Sequence, residues 1–139
     1  MPRDMMTHPR FAVALGAAAL FVLALLAGCR RGGEPASATA ALGRFFETAR
    51  RHDYAATYDC YDAAYQTKVS RDEFVRHRAE ASPLESWRLL SLEEHGDRAH
   101  AVVALVFGAS ARAGRTTPVS KTVEEELVRE PGGWRIKVW

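Results

Sequence analysis

The stretch Thr122-Val123-Glu124-Glu125-Glu126-Leu127-Val128 places three carboxylates in a row among strand-forming residues. A strand sends successive side chains to opposite faces, so the three cannot share one environment. In one register Val123 and Leu127 face the covered side and Glu125 goes with them. In the other, Thr122 and Val128 do, and Glu124 and Glu126 follow. Val123 and Leu127 are the larger apolar pair, and Val119 shares their parity. The first register is therefore the expectation. Glu125 then either pairs with an arginine such as Arg88 or Arg135, or stands as a functional carboxylate in a pocket. An unpaired buried charge is costly, which favours the pair.

A second group is aromatic. All 4 tyrosines, Tyr54, Tyr58, Tyr61 and Tyr65, fall in YAATYDCYDAAYQTK, residues 54–68. On one helix they would lie within about 60° of one another. Such a stripe buries area in a core or lines a ligand pocket, and core packing is the first expectation. Asp59 and Asp62 would then share the solvated arc, and Cys60 would be a buried, inert thiol among small residues. His95 and His100 flank a turn beside Glu93 and Glu94, but a metal needs at least a third ligand, and a solvated turn is the simpler account. His52 and His77 sit among arginines, as surface residues do. G-x-S-x-G, H-E-x-x-H, phosphate-loop and C-x-x-C motifs do not occur. No catalytic residue, metal or cofactor is therefore assigned from sequence. The residues expected to line a pocket are Tyr58, Tyr61, Tyr65, Trp87, Glu125 and Trp134.

These residues need elements to hold them. Ala38, Ala41, Leu42, Phe45, Phe46 and Ala49 recur at spacings of three and four, one face of a helix capped by Ser37 or Thr39 and ended by Arg50, Arg51 and His52. Asp53 opens a second helix running through the tyrosines. Ser70 and Glu73 have capping-box spacing for a short third helix anchored by Phe74. From Ser86 the period becomes two: strands at 87–93, 98–108, 119–130 and 134–139, with turns at Gly96-Asp97 and Pro131-Gly132-Gly133. The second strand is apolar on both faces and should be central. Three helices followed by a four-stranded antiparallel meander make an α+β domain.

Residues 11–27 carry no charge and follow a basic start with Arg3 and Arg10. This is the layout of a secretory signal peptide. A membrane anchor competes, since these residues would reach roughly 25 Å as a helix against a hydrocarbon core of roughly 30 Å. The cysteine that follows argues against it. Leu26-Ala27-Gly28-Cys29 resembles the lipobox of bacterial lipoproteins. That resemblance implies a signal peptide over 1–28 and a diacylglycerol on the Cys29 thiol, with palmitate-type acylation of the new N-terminus. Two or more chains hold firmly, at about 0.8 kcal/mol per buried CH₂. Arg30, where an aspartate would favour inner-membrane retention, implies the outer membrane facing the periplasm in a Gram-negative host. Residues 29–37 would be the lipidated cysteine and a short Gly/Pro-broken tether. Cleavage would remove Arg3, Arg10 and Asp4 and lower the net charge of +2 by one, with no basic stripe for nucleic acid. With Cys29 lipidated, Cys60 has no disulfide partner.

The order helix, helix, short helix, meander over 38–139 resembles the NTF2-like (SnoaL-like, cone-shaped α+β) superfamily. The residues that carry the resemblance are Phe45-Phe46, Asp53-Tyr54 and Glu130-Pro131-Gly132-Gly133-Trp134-Arg135-Ile136. It implies helices roofing a curved sheet around a cavity. Fold does not give function. The leading expectation is a lipid-anchored envelope protein with a non-catalytic domain that binds a small apolar ligand or an envelope protein. The alternative is a small pocket enzyme of isomerase or hydro-lyase type, using a buried glutamate with a tyrosine.

Overall fold

The computed structural model describes residues 35–112 and 114–138. The expected leader, the lipobox-like stretch with Cys29 and most of the expected tether lie outside the described residues. Four helices come first: α1 (Ala38–Arg50), α2 (Tyr54–Tyr58), α3 (Ala63–Lys68) and α4 (Arg71–Glu80). Four strands follow: β1 (Leu84–His95), β2 (Arg98–Phe107), β3 (Val119–Glu130) and β4 (Gly133–Lys137), one antiparallel sheet in the order β1-β2-β3-β4.

Helix α1 buries the face read from its spacing: Ala38, Ala41, Leu42, Phe45, Phe46 and Ala49. Ser37 caps it, its Oγ accepting from the Ala40 amide at 3.1 Å. At the other end His52 takes a left-handed conformation, φ 61°. The amides of His52 and Asp53 return to the carbonyls of Ala49 and Thr48, which closes the helix in a Schellman arrangement. The helix packs against β1 and β4.

The expected single helix over 54–68 is broken in two. Asp53 caps α2 through the Ala56 amide, and Asp62 caps α3 through the Tyr65 amide. Between them the backbone turns extended and pairs with the open edge of β4. The Ile136 amide donates to Cys60 O at 2.8 Å, and the Asp62 amide donates to Ile136 O at 2.9 Å. The bridge satisfies edge groups that would otherwise face water or another chain. Backbone pairing and a side-chain cap together outweigh the helical propensity of the alanine-rich flanks. Asp62 is thus buried at 4 % exposure rather than solvated, while Asp59 pairs with Arg71 at the surface.

One face of the sheet is covered by the helices and carries the core. On β2 these residues are Ala99, Ala101, Val103 and Leu105. Register places Leu127, Glu125, Val123 and Lys121 of β3 opposite them, in that order. The other face of β2 is half-exposed rather than fully covered. Irregular pairing at Leu84/Ser86 and Leu89/Ser91 marks bulges in β1, which bend a strand and raise its twist. Gly96, φ 64°, takes the first central position of the β1–β2 hairpin, where a II′ turn needs glycine. Strand β3 spans the expected residues, and β4 ends at Lys137.

Candidate functional site in the cleft beneath the helices

The first register holds: Val123, Glu125 and Leu127 are on the helix side of β3, and Glu124 and Glu126 are on the other. Glu124 meets His100 there at 3.4 Å. Arg88 pairs with Ala104, and Arg135 with Val128, both positions on the face opposite Glu125. The expected ion pair to either arginine is therefore excluded by strand parity. Among the described residues the Glu125 carboxyl makes no hydrogen bond or ion pair. Burial alone pushes its pKa above the ordinary 4.5, because a carboxylate loses hydration there that nothing replaces.

Glu125 lines a cavity of about 160 Å³ with Phe45, Phe46, Tyr61, Arg78, Leu84 and Phe107 among its walls. An adjoining cleft of about 350 Å³ is lined by Tyr61, Tyr65, Val69, Glu73, Phe74, His77 and Arg78. Tyr61 and Arg78 belong to both, so they stand where the inner cavity opens into the outer cleft. Tyr61 is held by aromatic edges, with ring centroids 5.2 Å from Phe45 and 5.4 Å from Phe74, and it lies 4.3 Å from Tyr65. Its hydroxyl has no hydrogen-bond partner among the described residues. Burial raises the Tyr61 pKa strongly, and the neighbouring Tyr65 adds to the rise. The phenol is therefore a neutral donor at any physiological pH. Burial raises the Tyr65 pKa too.

The structure brings Tyr61, Tyr65 and Glu125 together. The other expected lining residues lie elsewhere. Tyr58 is buried, and its hydroxyl donates to the carbonyls of Val69 at 2.7 Å and Gln66 at 3.2 Å, tying α2 to the α3–α4 junction. Trp87 stacks on Phe46 at 5.4 Å and donates its indole N–H to Glu47 at 3.2 Å. It borders a depression of about 480 Å³ across residues 86–88, 104–106 and 120–122 instead. Trp134 is 1 % exposed in the core with Arg129 over its ring, and it lines neither the cavity nor the cleft.

Sequence reasoning missed Arg78. Its position four residues after Phe74 puts it on the same helical face, and that spacing was the available signal. His77 is exposed as expected, and it also borders the outer cleft. Phe45 and Phe107 have a double role, in the core and at the cavity wall. Cys60 is a free, buried thiol whose pKa burial raises. Among the described residues no group of His, Cys, Asp and Glu is arranged to hold a metal, and no helix is long and apolar enough to cross a membrane.

No protein-family model and no curated protein matches the chain. Solved structures do match. A SEC-C motif containing protein from Rhodopseudomonas palustris superposes with a TM-score of 0.63 at 21% identity, over 82% of this chain and 83% of that one. A sec-c motif containing protein from Psychrobacter arcticus gives 0.62 at 7% identity, over 78% and 63%. A candidate NTF2-like transpeptidase from Campylobacter jejuni gives 0.52 at 12% identity, over 74% of this chain and 100% of that one. At such identities the likeness is one of fold alone. It carries no residue and no activity across.

Proposed function

From an NTF2-like α+β fold as premise, we propose that the protein is a lipid-anchored component of the cell envelope, and that its interior cleft binds a small ring-bearing ligand without turning it over. The observation that carries the binding reading is Glu125. A carboxyl turned to the covered face, without a partner and raised in pKa by burial, costs the fold stability. Structural ion pairs do not look like this, whereas binding sites keep such groups for their ligands. The Glu125 carboxyl hydrogen-bonds a polar group of the ligand, neutral Tyr61 donates a second hydrogen bond, and the Phe45, Phe74 and Tyr65 rings supply the apolar walls. The anchoring reading rests on Leu26-Ala27-Gly28-Cys29 after the uncharged run 11–27. By its position after Cys29, Arg30 favours the outer membrane of a Gram-negative host.

The test of binding uses the full chain in detergent, with phenol as the ring probe and calorimetry as the readout. Glu125→Leu fills the same space without a donor. It should leave the fold intact and weaken phenol by about tenfold, the weight of one good hydrogen bond to a buried group. Affinity should also fall as pH rises and Glu125 ionises. Equal affinity in the variant, or none in the wild type, contradicts the reading.

A second reading is favoured by one observation: the unpartnered Tyr61 hydroxyl shares its cavity with the unpartnered Glu125. That pair suits general acid–base chemistry of the isomerase or hydro-lyase kind. Turnover of a bound ligand, lost in Glu125→Gln while binding survives, would replace the non-catalytic reading with this one.

A further inference from the structure

Arg78 also faces a third space. A basin of about 250 Å³ is lined by Arg78, Ala81, Ser82, Phe107, Arg115 and Lys121. Its walls come from four places: the end of α4, the α4–β1 connection, the end of β2 and the β2–β3 loop running into β3. Three of its six lining residues are cations, and no acidic side chain is among the described ones. None of the three makes a side-chain hydrogen bond or an ion pair with a described residue.

The loop is anchored where it delivers Arg115. Ser110 and Arg115 exchange backbone hydrogen bonds at 3.0 Å and 2.9 Å, closing the loop root beside the end of β2. The Gly108 amide donates to Pro83 O at 2.9 Å, which fixes the segment after Ser82 against the segment after Phe107. The Ser82 Oγ is shielded from solvent and has no hydrogen-bond partner. A buried hydroxyl left unsatisfied is costly and calls for a partner. As a hydroxyl it can both donate and accept.

We propose that this basin is the seat for the phosphoryl group of a phosphate monoester, whose organic part enters the cleft past Arg78. The proposal rests on the cleft being a ligand site and adds the ligand's charge and class. The donor set selects the group. Two guanidinium forks and an ammonium offer more donors than the two oxygens of a carboxylate can accept, while three phosphoryl oxygens can use them. Two negative charges also balance three cations better than one does. The Phe107 ring lowers the local dielectric and strengthens each contact. Arg78, common to the basin, the cavity and the cleft, would touch both the phosphoryl group and the atoms next to it.

Calorimetry on the full chain in detergent tests this with three probes: phenyl phosphate, phenol and glycerol 3-phosphate. Phenyl phosphate should bind at least about tenfold more tightly than phenol, with an affinity that falls with salt. The double variant Arg115→Gln/Lys121→Gln, both at exposed or half-exposed positions, should cancel that advantage and leave phenol unchanged. Glycerol 3-phosphate binding as tightly as phenyl phosphate would assign the phosphoryl to a lipid-type headgroup rather than a ring-bearing compound, and keeps the basin's role. Phenyl phosphate binding no better than phenol, or equally well to the double variant, overturns the proposal while phenol binding leaves the cleft standing. Loss of both probes in the wild type removes the cleft and the basin together.

Discussion

Tyr58 and Tyr61 are three residues apart and do different work. The Tyr58 hydroxyl holds two backbone carbonyls, while that of Tyr61 holds nothing among the described residues. Tyr58→Phe should therefore cost about 1 kcal/mol of stability, and Tyr61→Phe less than about 0.5 kcal/mol, by thermal or urea unfolding. Glu125 makes a sharper case. Its folded pKa lies above the unfolded value, so the native state holds the proton more tightly. That contribution is full below the ordinary 4.5 and is lost as pH rises through the folded value. Glu125→Gln should match the wild type near pH 4 and become progressively the more stable protein as pH rises through that window. The parity of Glu125 was legible in the sequence because Val119, Val123 and Leu127 fixed the buried face. Its isolation was not, because only the fold shows that Arg88 and Arg135 point the other way.

At the scale of elements the instructive segment is residues 58–66. The amphipathic period there is good, and it suggested one helix. The chain instead makes two, with the stretch between them hydrogen-bonded to the edge of β4. The clue was present: Asp62 stands to Tyr65 as Asp53 stands to Ala56, and both aspartates cap. The partner of the break, Ile136, is more than seventy residues away in sequence, and local periodicity does not report such pairing. The two accounts predict opposite signs. In a continuous helix Asp62→Ala would be neutral or stabilising, because alanine is the better helix former. In the observed structure it removes a buried cap and should cost about 1–2 kcal/mol, with Asp62→Asn largely tolerated. Asp59→Ala, which breaks only an exposed pair with Arg71, should cost less than about 1 kcal/mol by the same unfolding measurement. Elsewhere the elements were readable. The α1 face, the Gly96-Asp97 turn and the bounds of β3 agree with spacing and turn chemistry alone, because each is decided by neighbours within a few residues.

At the scale of the molecule, the sequence and the structure speak about different parts. The expected leader, ending before Cys29, is legible only as a motif. Cys29→Ala should leave an unprocessed precursor or shift the protein out of the lipid-modified membrane fraction, as fractionation and the mass of the N-terminal peptide would show. The domain is legible in its fold and silent, from sequence, about its ligand. Arg78, the residue common to three adjoining spaces, has no motif around it. The central claim is that function sits between the helices and the sheet, at Tyr61, Arg78 and Glu125. The most direct test is NMR chemical-shift mapping of the full chain titrated with phenyl phosphate. The account predicts shifts concentrated at Tyr61, Tyr65, Arg78, Arg115 and Glu125. Shifts confined to residues 86–88, 104–106 and 120–122, with the cleft unmoved, would contradict it.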